Sequence, residues 1–483
     1  MRRREPGIAT EYGAVRWHRV VLAGRGFPSR ECRIWNPWLV LRGKASHAAR
    51  PAARSTTVLS AIVVVAVILL LGTIAPPAGA APARLPSTFA WGVSSSGFQS
   101  EGSSPDSNWR RHTHSGRTHD RVGTSVDFRH RYREDIARAA RLGVGVYRIG
   151  VEWARIEPRP GVIDHDELAY YDDVVAAIVA AGMRPMITLD HWVYPGWIAD
   201  RGGWADPATR EYWLRNARRV VNRYDRFHPY WITINEPFTY VTNELRIGGI
   251  TPAAVPTMVD GLVDVHRAIY RYIHRRDPNA MVSSNVAYIP TVEPALDIAY
   301  LDRLRGALDF IGIDYYYSVS PGDTNAWRAA TEEQWLAPVA ADGLYYALRD
   351  YARRFPGIPL YVVESGMPTR DGADRPDGYR RGDHLRDLVY WLQRARGDGV
   401  DVIGYNYWSL TDNYEWGSYT PRFGLYTVDV GTDPTLTRRP TDAVEAYRRI
   451  TAANGVPAEY RPTRSAEVCS LVAAPSSCLE PVR

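Results

Sequence analysis

The octapeptide YWITINEP, residues 230–237, runs from β-branched and aromatic residues into Asn-Glu-Pro. Such a run predicts a buried strand, and because proline cannot continue a central strand, the strand should end near Glu236. The heptapeptide LYVVESG, residues 360–366, repeats this order, with apolar residues followed by Glu364 and a glycine. Each segment predicts a carboxylate at the tip of a buried strand. The two glutamates either cap helices and pair with arginines, or face each other across a pocket.

Short apolar segments like these recur eight times, and they read as continuously apolar rather than alternating, as parallel strands covered by helices do. They are Phe89–Ser94, Val144–Val151, Met183–Leu189, Tyr230–Asn235, Met281–Tyr288, Asp309–Tyr316, Leu360–Glu364 and Val402–Ser409. Helical patterns lie between and after them, at His130–Leu142, Asp166–Ala181 (with Asp164 as its cap), Pro207–Phe227, Met258–Arg276, Ala295–Arg305, Gly343–Arg354, Tyr379–Arg396 and Thr441–Ile450. This alternation predicts an α/β fold, a single (β/α)8 TIM barrel over residues 85–455. A doubly wound open sheet is the alternative, but no glycine-rich phosphate loop follows the first strand.

The 483-residue chain has a net charge of +6, but the excess lies in its N-terminal leader, residues 1–56, which carry +9. The remainder is therefore close to −3, which does not support a nucleic-acid-binding body. Residues 57–84 contain an apolar run followed by Ala78-Gly79-Ala80, a small-x-small pattern that precedes signal cleavage sites. We expect a signal peptide or a membrane anchor here, with the protein exported and its catalytic domain outside, either secreted or held at the membrane.

The C-terminal tail, residues 456–483, contains two of the three cysteines, Cys469 and Cys478. In an exported protein they would form a small disulfide loop, and two free thiols are the alternative. His112, His114 and His119 lie close together, but their arginine neighbours favour a solvated loop over a metal site. His266 lies on a helical pattern beside apolar residues, which indicates a structural histidine. We therefore expect neither metal nor cofactor.

Polar and aromatic residues recur where the predicted strands end, which is where TIM barrels place their active sites. They resemble, in the same order along the chain, the motifs of glycoside hydrolase family 1, the β-glucosidase family. The matching segments are FAWGVSSSGFQSEG from residue 89, YRIGVEWARI from residue 147, Asp190-His191-Trp192, TINEP from residue 233, DFIGIDYY from residue 309, YNYWSLTDNYEW from residue 405 and RFGL from residue 422. This resemblance covers roughly residues 85–450.

The resemblance implies a β-glycosidase in which Glu236 is the acid/base and Glu364 the nucleophile, with Arg148 and Tyr316 holding Glu364. It further implies that one group of residues hydrogen-bonds the sugar: Gln99, His191, Asn235, Glu415 and Trp416. Trp408 would stack under the sugar ring, and Phe423 would line the pocket wall. Three departures from the family pattern lie beside these residues: Asp314 and Ser365 each stand where an asparagine is usual, and Val193 stands where an aspartate is usual.

The chemistry explains why two carboxyls are needed. In a retaining mechanism one carboxylate attacks the anomeric carbon, while the other donates a proton to the leaving group and later activates water. Glu415 favours sugars with a free 6-hydroxyl, so we expect hydrolysis of terminal β-D-glucosyl residues, with β-galactosyl or β-fucosyl residues next. A transglycosylase and a non-catalytic carbohydrate-binding barrel at the cell surface are the alternatives. The expected partner is a small-molecule β-glycoside or oligosaccharide.

Overall fold

The computed structural model describes residues 83–288, 298–317 and 333–466. Its centre is a closed barrel of eight strands in which each strand is parallel to both neighbours. The strands are β1 (Ala90–Ser94), β2 (Val146–Gly150), β3 (Arg184–Thr188), β4 (Tyr230–Asn235), β5 (Met281–Ala287), β6 (Ile311–Asp314), β7 (Leu360–Glu364) and β8 (Val402–Trp408). All eight predicted strands are confirmed, and β8 closes the ring on β1. The open-sheet alternative is therefore excluded.

The barrel is a packed core rather than a channel, because side chains from several strands meet near its axis. This interior cluster contains Val146, Met186, Ile232, Phe310, Tyr361 and Val363. A second and larger core lies between the barrel and the surrounding helices. Burial on both faces explains why the strand sequences read as continuous apolar runs. The filled interior leaves the C-terminal ends of the strands as the place where polar side chains can gather.

Helices surround the barrel, and those longer than one turn cover most of the predicted helical segments. They are Asn108–His114, Phe128–Arg141, His165–Ala180, Thr209–Tyr224, Pro237–Ile247, Val255–Arg276, Asp342–Arg354, Arg381–Gly397 and Asp442–Ala453. Single turns of α-helix occur at Gly97–Ser100, Trp153–Ile156 and Gly196–Ala199. Turns of 3-10 helix occur at Gly203–Ala205, Asp225–Phe227, Pro252–Ala254, Leu301–Leu304 and Gln334–Leu336. Two-residue strands pair Thr369–Arg370 with Pro421–Arg422, and Tyr426–Thr427 with Arg439–Pro440. The predicted Asp164 cap is present, since its side chain accepts from the backbone N–H groups of Asp166 and Glu167, each at 3.0 Å.

His266 has the structural role that its helical setting indicated. The ring is buried, with Nδ1 2.7 Å from Thr233 Oγ1 and Nε2 2.7 Å from the carbonyl oxygen of Ala307. Burial lowers the pKa of His266 to about 4, so the ring is neutral near neutral pH. A neutral imidazole thus ties helix Val255–Arg276 to β4, the strand that leads to Glu236.

The solvated loop predicted around His112 and His114 is wrong for these two residues. They lie on helix Asn108–His114, and His112 is buried with its ring 5.6 Å from that of Trp109. Trp109 and His112 are three residues apart, so a helix places both on the face that packs against the barrel. The flanking arginines lie on the opposite, outer face of this helix. Their charge therefore led to the prediction that the whole segment is solvated.

Several predictions fall on parts of the chain outside the described residues. These are the leader at 1–56, nearly all of the apolar segment at 57–84, the Cys469–Cys478 pairing, and the first three residues of the predicted helix Ala295–Arg305. In the described part of that helix, residues 298–299 are α-helical and Leu301–Leu304 form a 3-10 turn. Within the part of the chain that the structure describes, no helix combines the length and the apolarity needed to cross a membrane.

Candidate active site

Glu236 stands at the junction between β4 and the helix that follows it. Pro237 occupies the first position of helix Pro237–Ile247, where proline's missing N–H costs no helical hydrogen bond. Glu236 connects the two elements with φ = 36°, in the left-handed region that residues with a β-carbon rarely adopt. This sharp turn leaves the carboxyl group at the rim of the barrel while Glu236 is only 7% exposed.

Glu364 ends β7, and two side chains from other strands hold its carboxylate. The guanidinium of Arg148, on β2, donates to Oε1 and is itself fully buried. The hydroxyl of Tyr316, just after β6, donates to Oε2 at 2.7 Å. A buried carboxylate is stable as an anion when a cation and hydrogen bonds compensate its charge. The contacts of Glu364 therefore favour its ionised form.

The surroundings of Glu236 have the opposite effect. Burial first, and then the negative charge of Glu364, raise the pKa of Glu236 to about 8. Hydrogen bonds with Thr239 and Asp314 lower it, and Arg148 lowers it least of the acting groups. Glu236 is accordingly protonated at neutral pH, while Glu364 carries the charge. One site thus presents a carboxylate and a carboxylic acid to the same space.

The acidic groups lie close together. One carboxylate oxygen each from Glu236, Asp314 and Glu364 lie within 4.8 Å of one another. Among the described residues this is the one group of three or more side chains spaced like metal ligands. Arg148 already bonds Glu364 there, and a guanidinium next to a divalent cation would repel it. The donor set therefore fits a metal poorly, and the absence of a metal requirement stays a prediction.

The other predicted site residues form one connected cluster with the two glutamates. Asn235 Oδ1 accepts from Arg148 Nη2 at 2.6 Å, and Asn235 Nδ2 lies 3.3 Å from Nε2 of His191. Glu415 joins two further residues, since its carboxylate accepts from Gln99 Nε2 and from Trp408 Nε1, each at 3.4 Å. Polar side chains from β2, β4 and the loops after β1, β3 and β8 therefore converge on one pocket.

Aromatic rings complete the cluster. The ring of His191 stacks on those of Trp408 and Trp416, with centroids 6.0 Å and 5.8 Å apart. Phe423 meets Tyr316 edge-on at 5.5 Å. Such a mixture of apolar platforms and converging polar groups is typical of a small-molecule site. His191 Nδ1 has no hydrogen-bond partner among the described residues, although it is buried. That nitrogen is available to a ligand hydroxyl.

Sequence reasoning missed three residues that support this site. Asn285, on β5, donates through Nδ2 to Asn235 at 2.7 Å and also to Asp314. Asn413 accepts from Gln99 Nε2 at 3.0 Å. Thr239 bonds Glu236 from the first turn of the following helix. Asn285 was detectable, because Ser283-Ser284-Asn285 is a polar run inside an otherwise apolar strand.

The two departures that replace an asparagine are both buried. Asp314 is 1% exposed, and one of its carboxylate oxygens lies within 4.8 Å of an oxygen of each of the two glutamates. The hydroxyl of Ser365 is buried with no partner among the described residues. Replacing the usual asparagine by serine thus leaves a hydroxyl next to Glu364 whose hydrogen bond is not made by any described residue.

A parallel (β/α)8 barrel with a buried acid and a guanidinium-bound carboxylate at its strand ends defines a class of carbohydrate-cleaving enzymes. The family model described as Glycosyl hydrolase family 1 matches residues 81–276 and 320–456. The chain belongs to glycosyl hydrolase family 1 and is a glycoside hydrolase.

Individual relatives agree with this assignment. Beta-glucosidase 42 of Arabidopsis thaliana is 27% identical over 463 residues, covering 76% of this chain and 93% of the relative. The galactolipid galactosyltransferase SFR2 of the same plant is 30% identical over 347 residues, covering 63% of this chain and 55% of the relative. A solved β-glycosidase from Pyrococcus horikoshii is 25% identical, with a TM-score of 0.67, and the match covers 78% of this chain and 96% of that one.

Proposed function

We propose that the protein is a retaining β-glycosidase that removes terminal β-D-glucosyl residues through a covalent glycosyl-enzyme. The observation that carries this proposal is the short separation of Glu236 and Glu364, since one carboxylate oxygen of each lies within 4.8 Å of the other. Retaining enzymes place their carboxyls ~5 Å apart, whereas inverting enzymes need ~6.5–9.5 Å to fit a water between them. The spacing in this site supports direct attack by a carboxylate.

In the first step Glu364 attacks the anomeric carbon and the glycosidic oxygen leaves with the proton of Glu236. The hydrogen bonds from Arg148 and Tyr316 keep the Glu364 carboxylate charged and oriented before substrate arrives. The acid is available because burial and the Glu364 charge hold the proton on Glu236, whose pKa is about 8. General acid catalysis of this kind contributes ~10²–10⁴-fold to the rate.

In the second step water hydrolyses the glycosyl ester of Glu364. Glu236 has already given its proton to the leaving group, and because esterification removes the negative charge that helped to raise its pKa, it stays ionised and accepts a proton from the attacking water as a base. Glu364 leaves as a carboxylate, and Arg148 compensates its charge again. Two displacements on the same carbon restore the β configuration.

The groups around Glu415 support a glucose-like sugar in the first subsite. Glu415 and Gln99 offer one acceptor and one donor side by side, and Trp408 offers an aromatic face beneath them. Apolar C–H faces of sugars pack on such platforms, while the polar groups set orientation. Burial raises the pKa of Glu415 to about 8, and neither the acid nor the anionic form of this carboxyl group offers the positive charge that a phosphate at the 6-position would need, which favours unphosphorylated glucosides. Galactosides and fucosides are the next candidates.

Transglycosylation is a second candidate, favoured by the galactosyltransferase among the relatives. It needs the same glycosyl-enzyme, with an alcohol replacing water in the second step. Product analysis with a glucosyl donor and a primary alcohol separates the two activities. A dominant alkyl glycoside would identify a transferase, and a dominant free sugar would identify a hydrolase.

Export of the catalytic domain is proposed from the basic leader, the apolar run and the small residues that follow it. N-terminal sequencing of the mature protein tests it. A start just after Ala80 would indicate a cleaved signal peptide, an intact apolar run in the membrane fraction would indicate an anchor, and a full-length cytosolic protein would contradict export.

Proton NMR during hydrolysis of an aryl β-glucoside tests the proposed mechanism. We expect β-glucose as the first product, followed by slower mutarotation to the equilibrium mixture. The α anomer as first product would contradict retention. Sugar binding without turnover across a panel of aryl β-glycosides would instead identify a non-catalytic binding barrel.

A further inference from the structure

A third carboxyl group, that of Asp314, lies in the site without a role in the mechanism described above. It ends β6 and is 1% exposed. Its Oδ2 accepts a hydrogen bond from Asn285 Nδ2, while Oδ1 has no donor among the described residues. The family's usual asparagine would offer an N–H group at this point, so aspartate changes what the position can donate.

The site contains too little positive charge for three carboxylates. The hydrogen-bonding nitrogens of Arg148 serve Glu364, Asn235 and Thr188, so its guanidinium compensates one carboxylate and does not bond Asp314. Buried charges that are not compensated are costly, and like charges at this distance disfavour each other's ionisation. Of Glu236, Asp314 and Glu364, only Glu364 is therefore favoured as an anion.

Geometry identifies where the second proton lies. One carboxylate oxygen of Asp314 lies within 4.8 Å of one of Glu236, and Oδ1 of Asp314 is buried with no donor among the described residues. Two carboxylates cannot hydrogen-bond, because neither has a donor, and two buried negative charges this close disfavour each other, so a proton shared by the pair stabilises both groups. We propose that Asp314 is a positioning residue that is protonated in the resting enzyme and donates its O–H to Glu236, so that the two residues titrate as one pair. This inference rests on the proposed role of Glu236 as the general acid.

The groups around Asp314 agree with a protonated state. Burial first, then the charges of Glu364 and Glu236, raise the pKa of Asp314 well above its ordinary value, and Arg148 and Asn285 oppose this rise. The hydroxyl of Tyr316, also near Asp314, has a pKa raised well above its usual value and stays neutral. The titratable or charged side chains that interact with Asp314 are therefore those of Glu236, Glu364, Arg148 and Tyr316.

An enzyme whose general acid is paired with a second carboxyl group should lose activity in two steps as the pH rises. When the pair loses its first proton, the remaining proton is shared and stays on Glu236 part of the time. Activity is then reduced but not lost until the second proton leaves at higher pH. With asparagine at position 314, the amide N–H stabilises the Glu236 carboxylate, and one ionisation removes all general-acid activity. Asp314→Asn should therefore lose activity at lower pH and in a single step.

The test is the pH dependence of kcat/KM for phenyl β-glucoside, whose poor leaving group needs the proton. We expect two ionisations on the alkaline side in the wild-type enzyme. In Asp314→Asn we expect a single one, with its midpoint lower by about one pH unit or more. With 2,4-dinitrophenyl β-glucoside, which leaves without a proton, the difference between the two proteins should be much smaller.

Asp342→Asn is the matched control. Asp342 is also a buried aspartate whose burial raises its pKa, to about 7, but it is not among the groups that act on Glu236. This variant should keep the wild-type profile. Wild-type and Asp314→Asn profiles with the same shape and midpoint would overturn the inference. So would a single alkaline ionisation in the wild type, a result that needs no folded variant. Absence of turnover in the wild type, or full activity in Glu364→Gln, would instead refute the proposed function.

Discussion

The ends of β4 and β7 carry the same residue in opposite surroundings. Glu364 receives hydrogen bonds from the Arg148 guanidinium and from the Tyr316 hydroxyl. Glu236 faces the charge of Glu364 and a second carboxyl, that of Asp314. Both glutamates are less than a tenth exposed, so burial alone does not distinguish them. In the proposed mechanism, the partner residues rather than burial therefore distinguish the glutamate that attacks from the one that carries the proton.

The largest effect is expected from removing Glu364. Glu364→Ala should lower kcat by roughly 10⁴-fold or more, as removal of a nucleophile commonly does. With an activated β-glucoside and azide, this variant should yield the α-glucosyl azide, because azide enters from the face that the side chain vacated. Product NMR checks this expectation. A β-glucosyl azide would show that another residue is the nucleophile, and it would contradict the roles assigned to the ends of β4 and β7.

Removing the acid should have a smaller and more selective effect. Glu236→Gln should lower kcat/KM for phenyl β-glucoside by ~10²–10⁴-fold, but far less for 2,4-dinitrophenyl β-glucoside, whose leaving group needs no proton. In the wild-type enzyme the acid form of Glu236 is active, so kcat/KM for phenyl β-glucoside should fall as the pH rises through about 8. Steady-state kinetics against pH measures both. Equal losses with the two substrates would refute acid catalysis by Glu236.

Glu415 should contribute to sugar binding rather than to proton transfer. Its carboxyl group is held by Gln99 and Trp408 at the proposed sugar subsite. Each lost hydrogen bond costs about 0.5–1.5 kcal/mol and Glu415 can bond two sugar hydroxyls, so Glu415→Ala should lower kcat/KM for glucosides by roughly 10–100-fold. The variant should also discriminate less against 6-phosphoglucosides. Glu445→Gln, at an exposed pair with Arg448 and Arg449, is the control that should change neither value.

Tyr316 should give the smallest of these effects. Tyr316→Phe removes one hydrogen bond from Glu364 while Arg148 remains, so kcat/KM should fall about tenfold, equivalent to ~1.4 kcal/mol. Tyr315→Phe is the matched control, because the neighbouring hydroxyl donates to the Ala340 carbonyl outside the site. Comparable losses in the two variants would show that the Tyr316 contact is structural.

The fold was predictable from sequence because its signal is local. Each barrel strand is buried on both faces, so strands such as β7 read as short apolar runs with a clear end. Helix Pro237–Ile247 was missed because its sequence, PFTYVTNELRI, contains two threonines and an asparagine and resembles a loop. Its first turn nevertheless supplies Thr239 to the site. Local patterns therefore identify strand ends better than the rim helices between them.

The third carboxyl was not predictable as a contact. Asp314 and Glu236 are far apart in sequence, and their strands, β4 and β6, are not neighbours in the barrel. Their proximity comes from barrel closure, which brings the strand ends around one axis. Sequence showed only that Asp314 departs from the family pattern, whereas the structure places one of its carboxylate oxygens within 4.8 Å of one of Glu236. Contacts of this kind, between the ends of strands that are not neighbours, can be identified only from the three-dimensional structure.

The central claim is that Glu364 is the nucleophile and Glu236 the proton carrier. A 2-deoxy-2-fluoro-glucoside with a good leaving group forms a long-lived glycosyl-enzyme, and peptide mapping by mass spectrometry locates the attached sugar. The account predicts a single modified peptide with the sugar on Glu364, and no modification of the Glu364→Gln variant. A sugar attached to Glu236 or Asp314, or turnover of ordinary β-glucosides with no trapped intermediate, would contradict it.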